Sequence, residues 1–79
     1  MVTNPQAYGL SMWASMAVTF ADGVVSQYDD IYPMYYRWCK QTNRIPIRNR
    51  RIWIRELRRM RPCKYNRGRF YGIAVGEIL

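Results

Sequence analysis

The chain has 79 residues, thirteen of them Lys or Arg against five Asp or Glu, and a formal net charge of +8. That length makes a single domain, residues 1–79, and a domain so small buries only roughly 60% of the surface its unfolded chain exposes, which argues against a deep enzymatic cleft. With 49% hydrophobic and 15% aromatic residues, it does not have the composition of a disordered basic tail.

The charge is segregated. Residues 1–36 hold three acids (Asp22, Asp29, Asp30) and no base, for −3, whereas residues 37–79 hold all thirteen bases and two acids (Glu56, Glu77), for +11. Eleven of the bases are arginine, whose planar fork suits bidentate contact with phosphate and with guanine. A half-chain so charged repels itself unless a polyanion meets it. The alternative meaning of such charge is a solubilising surface.

Other chemistry is thinly represented. The chain has no His, and it shows no nucleophile–base pair and no carboxylate cluster, so no catalytic residue and no cofactor are expected. Cys39 and Cys63 alone make a four-ligand zinc site improbable, and no metal is expected. The N-terminus lacks the basic region of a signal peptide. The apolar stretch Leu10–Phe20 is shorter than the about 20 residues a membrane span needs. These features together read as a reduced, cytoplasmic protein with no membrane partner.

In chain order, residues 1–6 read as a frayed start, with Asn4 and Pro5 suited to cap and first helical turn. Leu10, Trp13, Ala14, Ala17, Val18 and Ala21 follow helical spacing and predict a first helix over about 7–21, with Trp13 in the core. Asp22-Gly23 reads as a stop and turn, and Val24-Val25 as a short apolar link. Ser26 to Asp29 has capping-box spacing. A cap at Ser26 would nonetheless put Pro33 in the helix interior at a cost of ~3 kcal/mol. A cap at Asp29 or Asp30 is therefore preferred, giving a second helix over about 29–42 with Ile31, Tyr35, Trp38 and Cys39 on its buried face. Asn43 to Ile47 is a connector, since Pro46 disfavours helix before it. A third helix is predicted over about 48–60. Beyond Pro62 the pattern changes to that of a β-hairpin over about 63–75, with a turn at Asn66-Arg67-Gly68 and Tyr71, Ile73 and Val75 on one face.

The third helix carries the functional signal. At about 100° per residue, Arg48, Arg51, Arg55, Arg58 and Arg59 fall within an arc of about 100°, opposite Trp53, Leu57 and Met60. Like charges at these spacings cost a few tenths of a kcal/mol each, and an anionic ligand explains why they are tolerated. The order of helix, short connector and basic amphipathic helix is the helix-turn-helix pattern, and a following hairpin is a wing. The predicted fold is thus α+β, a winged helix-turn-helix of three helices followed by a two-stranded hairpin. Its predicted DNA-binding residues are Arg48, Asn49, Arg51, Arg55, Arg58 and Arg59 from the helix, and Lys64, Arg67 and Arg69 from the wing. Asn49 and Arg48 or Arg51, near the helix start, are the candidates for reading bases. The predicted core holds Trp13, Tyr35, Trp38, Trp53, Leu57, Tyr71 and Ile73.

The run Asp30-Ile31-Tyr32, Tyr35, Trp38-Cys39, then Pro46, then Trp53 and Leu57, then Arg67-Gly68-Arg69-Phe70-Tyr71-Gly72-Ile73 resembles the C-terminal winged-helix domain of phage and plasmid primase-helicases of the poxvirus and satellite-phage type. The match covers about residues 25–75. It departs from that pattern at Arg61-Pro62, where a glycine often ends the helix. The resemblance implies a contact with DNA or origin sequences and a viral or mobile-element setting, as a stand-alone chain or a fragment. No Walker loop and no polymerase acid cluster are present.

Three functions fit these readings. The first is duplex-DNA binding in replication initiation or transcription control. The second is a small protein-interaction module engaging an acidic host or viral protein, with the first helix as an oligomer or partner surface, a homodimer or a replication protein among the partners. The third is binding of single-stranded DNA or RNA, with Tyr or Phe70 stacking on bases.

Overall fold

The computed structural model describes residues 5–76, with side chains from residue 9 onward; Asn4, the start at residues 1–4 and Glu77 lie outside the described residues. The order of elements is α1 (Pro5–Ala17), β1 (Val18–Gln27), α2 (Tyr28–Gln41), α3 (Arg50–Met60), β2 (Lys64–Asn66) and β3 (Arg69–Val75). It is a small α+β domain of three helices and one antiparallel sheet, in the order β1-β3-β2. The sheet therefore has three strands where the sequence predicts a two-stranded hairpin.

The added strand replaces the end of the expected first helix. The helical spacing holds through Leu10, Trp13, Ala14 and Ala17, all buried. Val18, Thr19 and Phe20 then leave the helix and pair with Val75, Ala74 and Ile73. These β-branched and aromatic residues favour an extended chain once a partner strand exists. Pairing resumes at Val25 with Tyr71, so Ala21–Val24 bulge out opposite the single residue Gly72. Gly23 and Gly72 have φ of +80° and +92°, which a side chain would strain. The bulge also resets the alternation in β3. Phe70 and Ile73, three apart, both face the core, and Tyr71 is only half-buried. The predicted core place of Tyr71 passes to Phe70.

Helix α2 begins earlier than expected, directly after β1, and Pro33 lies inside it. Its N-cap Gln27 makes no side-chain cap bond. Instead the first N–H, of Tyr28, donates to the Gly68 carbonyl in the hairpin turn at 2.8 Å. Ser26, the capping-box candidate, donates its hydroxyl to the Ile73 carbonyl at 2.8 Å and so stitches β1 to β3. The early start is favoured because it brings Tyr28 against Trp53, ring centroids 5.4 Å apart. The bond Pro33 cannot make is to the Asp29 carbonyl, in the first turn of the helix; Asp29, Asp30 and Pro33 are all exposed. At the other end Asn43, at φ +57°, forms a Schellman turn, its N–H to the Lys40 carbonyl and the Arg44 N–H to the Cys39 carbonyl.

Trp53, 0% exposed, is where the elements meet. Its ring lies 5.4–6.2 Å from those of Tyr28, Tyr32, Tyr35, Phe70 and Trp13, the first four edge to face. The indole N–H finds no hydrogen-bond acceptor among the described residues and is enclosed by these rings. Tyr35, Trp38, Leu57 and Ile73 are buried around it. Two tyrosine hydroxyls then fix the connector before α3. Tyr32 donates to the Ile47 carbonyl at 2.7 Å, and Tyr35 accepts from the Ile47 N–H at 3.0 Å. Burial pushes the Tyr35 hydroxyl far above its ordinary range, so it stays protonated at any physiological pH. At the far end of α3, Arg61 donates to the Ala14 and Val18 carbonyls and secures the end of α1.

Trp53→Ala is expected to cost about 3–5 kcal/mol. That is a large share of the stability of a domain this size, roughly 4–12 kcal/mol. Trp53→Phe, which keeps a ring and deletes the unpartnered N–H, costs less. Urea denaturation followed by circular dichroism measures both.

Candidate nucleic-acid interface

Helix α3 starts two residues later than the sequence predicts because Asn49 is its N-cap. The Asn49 Oδ1 accepts from the Ile52 N–H at 3.0 Å. That bond orients the Asn49 amide at the start of the helix and occupies one of the two lone pairs of its oxygen. Arg48 belongs to the connector rather than the helix, and it is exposed.

With Trp53 and Leu57 facing the core, the flank of α3 that carries Arg50, Arg51, Ile54 and Arg58 faces the hairpin turn. Between them lies a cleft of about 570 Å³ lined by Arg50, Arg51, Ile54, Arg55, Arg58, Tyr65, Arg67 and Gly68. Five guanidinium groups and no acid border it. Ile54 and Tyr65 supply an apolar floor.

The hairpin is held against α3 by Arg50. Its guanidinium lies 4.5 Å from the Tyr28 ring centroid, and Arg50 and Tyr65 both line the cleft. A Cβ at Gly68 would sit 3.2 Å from the Arg50 Nη2, so the turn and this guanidinium are packed together. The cation–π contact anchors the Arg50 guanidinium.

The ridge expected from the wheel thus divides by partner. Arg51 and Arg55 line the cleft, and the nearest acid to Arg55 is Glu56, at 3.8 Å. Arg58 also lines it, with Nε donating to the Cys63 carbonyl at 3.1 Å. Arg59 points elsewhere and pairs with Glu56 at 2.6 Å. On the hairpin, Arg67 lines the cleft from the turn, whereas Lys64 and Arg69 are exposed on the strands outside it. Among the described residues Arg51, Arg67, Arg69 and Lys64 have no ion-pair partner. Arg48 joins Lys40, Asn43, Arg44, Ile45 and Pro46 around a second, smaller hollow of about 270 Å³.

Arg50, Tyr65 and the Lys40–Arg44 pair are the members that sequence spacing missed. Arg50 falls off the arginine arc on a wheel. Its role depends on where the hairpin folds back, which no local pattern encodes.

The hairpin turn has Arg67 and Gly68 at its two central positions, with φ of +51° and +82°. Both angles positive is the type I′ geometry that suits the right-handed twist of the strands. Glycine adopts it freely, but arginine does not, at a cost of roughly 1 kcal/mol.

Chemically, the site can hold an extended polyanion. Arginines spaced along a helix and at a turn match repeated phosphates better than a single small anion. Among the described residues no group of three His, Cys, Asp or Glu could hold a metal ion, and no helix is long and apolar enough to cross a membrane. Comparison with protein-family models, with curated proteins and with solved structures finds no match.

Arg67→Asn, which tolerates the left-handed region, is expected to stabilise the chain by up to about 1 kcal/mol. For a domain of this length that raises the melting temperature by roughly 4–8 °C in a thermal scan.

Proposed function

We propose that the chain is a duplex-DNA-binding domain of the winged helix-turn-helix type, with α3 as the recognition helix and the β2–β3 hairpin as the wing. The observation that carries this reading is the cleft between α3 and the hairpin turn, bordered by Arg50, Arg51, Arg55, Arg58 and Arg67 and free of acid. The order α2, connector, α3 supports it, although the connector, residues 42–49, is longer than the turn of about three or four residues in that motif. A helix fits the major groove, and a basic turn beside it reaches the flanking backbone. Strand β1 widens the hairpin into a three-stranded sheet and leaves its turn beside α3.

Phosphate contacts from Arg55, Arg58, Arg67 and Arg69 would supply most of the affinity and fix the register. Arg51, in the first turn of α3 and without an ion-pair partner among the described residues, is the candidate for a base edge. Arg48 and Lys40, at the smaller hollow, would meet the neighbouring backbone. In the single-strand alternative Phe70 is too buried to stack on a base, which leaves the half-buried Tyr65 of the cleft as the stacking candidate. The primase-helicase resemblance supports a setting in replication initiation or transcription control of a phage or other mobile element, inside the host cell.

The test is a salt titration of duplex binding. Each phosphate neutralised contributes a log–log slope of about −0.9. The Arg51→Ala, Arg55→Ala double variant is expected to lose about two units of slope, and Arg67→Asn about one. Arg59→Ala, which removes a guanidinium already paired with Glu56, is expected to lose the least. Equal affinity and slope for the double variant and the wild type would remove the cleft from the account.

A further inference from the structure

The cleft between α3 and the hairpin turn holds more than charge. Continuous duplex offers phosphates and base edges, which charged and polar side chains meet. Yet Ile54 and Tyr65, both half-buried, lie among the five arginines that line it. Tyr65 is braced from behind. It stands opposite Phe70 across the β2–β3 ladder, with ring centroids 4.8 Å apart. Phe70 is itself fully buried, its ring 6.2 Å from that of Trp53. The core therefore holds the Tyr65 ring on one side, and the ring lines the cleft on the other. One end of the cleft is closed. There the Tyr28 N–H donates to the Gly68 carbonyl at 2.8 Å, and the Arg50 guanidinium packs against Gly68. What enters is smaller than a duplex. The volume of about 570 Å³ suits a small organic group, whose sites span about 300–1,000 Å³.

We propose that the cleft takes one unpaired base of a DNA whose duplex lies along the surrounding arginines. This rests on the reading of the chain as a DNA-binding domain and names the DNA it prefers: a duplex with an unpaired nucleotide, at a bulge, a fork or a frayed end. An unstacked base offers a face on which a tyrosine ring or a guanidinium plane stacks. The phosphates on either side of that base need cations at the rim, and Arg51, Arg55, Arg58 and Arg67 supply them. Phosphate alone would leave Ile54 and Tyr65 uncovered. Drawing a base out of an intact stack costs free energy, and the cost is least where the base is already unpaired. The preference for interrupted duplex follows.

The experiment titrates the full chain into three duplexes of one sequence at one salt concentration. The first is intact, the second carries a single bulged 2-aminopurine nucleotide, and in the third that nucleotide is abasic. The anisotropy of an end label reads affinity, and 2-aminopurine emission reads stacking. The bulged duplex is expected to bind about tenfold tighter than the intact one, the size of one base–aromatic stack. Its emission is expected to be quenched on binding, and the abasic duplex to bind like the intact one. Tyr65→Phe is expected to keep the preference. Tyr65→Leu, which keeps an apolar side chain on the floor, is expected to bring the affinity ratio to about one and to relieve the quenching. Should Tyr65→Leu fail to fold by circular dichroism, the abasic duplex makes the same test on the wild type. Equal binding of bulged and intact duplexes by the wild type would overturn this proposal and leave duplex binding standing, whereas binding to none of the three would remove both. A preference that survives abasic substitution or Tyr65→Leu, or displacement of the bulged duplex by an equal concentration of free deoxyadenosine monophosphate, would also overturn it.

Discussion

Everything in this fold turns on the burial of one indole. Trp53 receives Trp13 from α1, three tyrosines from α2 and Phe70 from β3. A domain of 79 residues has little core to spare, and large aromatic rings supply much apolar area per residue. With Trp53 and Leu57 turned inward, the rotation of α3 about its axis is fixed, and with it the direction of every arginine on the helix. The Tyr32 and Tyr35 hydroxyls complete the constraint by gripping both backbone groups of Ile47, just before the helix. The apolar side of the molecule therefore determines where its charge points.

That link explains how much of the molecule is legible in its sequence. Helical spacing is a local signal, and it locates Leu10, Trp13, Ala14 and Ala17, then Ile31, Tyr35, Trp38 and Cys39, then Trp53 and Leu57. The hairpin turn is legible because Gly68 stands where φ must be positive. What spacing misses is set by partners far along the chain. Val18–Phe20 read as the end of a helix, and only pairing with Ile73–Val75 makes them a strand. The start of α2 reads as Asp29 or Asp30 because Pro33 penalises anything earlier. The Gly68 carbonyl and the Tyr28–Trp53 contact, both long-range, move it to Tyr28. Tyr71 and Phe70 exchange places because a bulge opposite Gly72 shifts the alternation by one residue.

The candidate site was legible as a composition and less so as a list. An arginine-rich face on α3 follows from the wheel. Partners then divide these arginines: Glu56 pairs with Arg59, whereas Arg58 bonds the Cys63 carbonyl through Nε alone and keeps its terminal nitrogens on the cleft side. Arg50, excluded by the wheel, lies over the Tyr28 ring and against the hairpin turn. Arg67 occupies a strained backbone position that glycine or asparagine would fill at less cost. A basic residue held there against local preference is consistent with a turn selected for charge rather than for stability.

The segregation of charge gives the two halves different work. The C-terminal half lines the arginine cleft; the N-terminal half supplies Trp13 and the tyrosines that enclose Trp53. The central claim, that α3 and the hairpin turn together receive duplex DNA, is tested most directly by following backbone amide resonances of the full chain as a short duplex is added at low salt. The account predicts shifts concentrated at Arg50 to Arg58 and at Arg67 and Gly68, with β1 unmoved. Shifts confined to α1 and β1, or no shifts at saturating duplex, would contradict it.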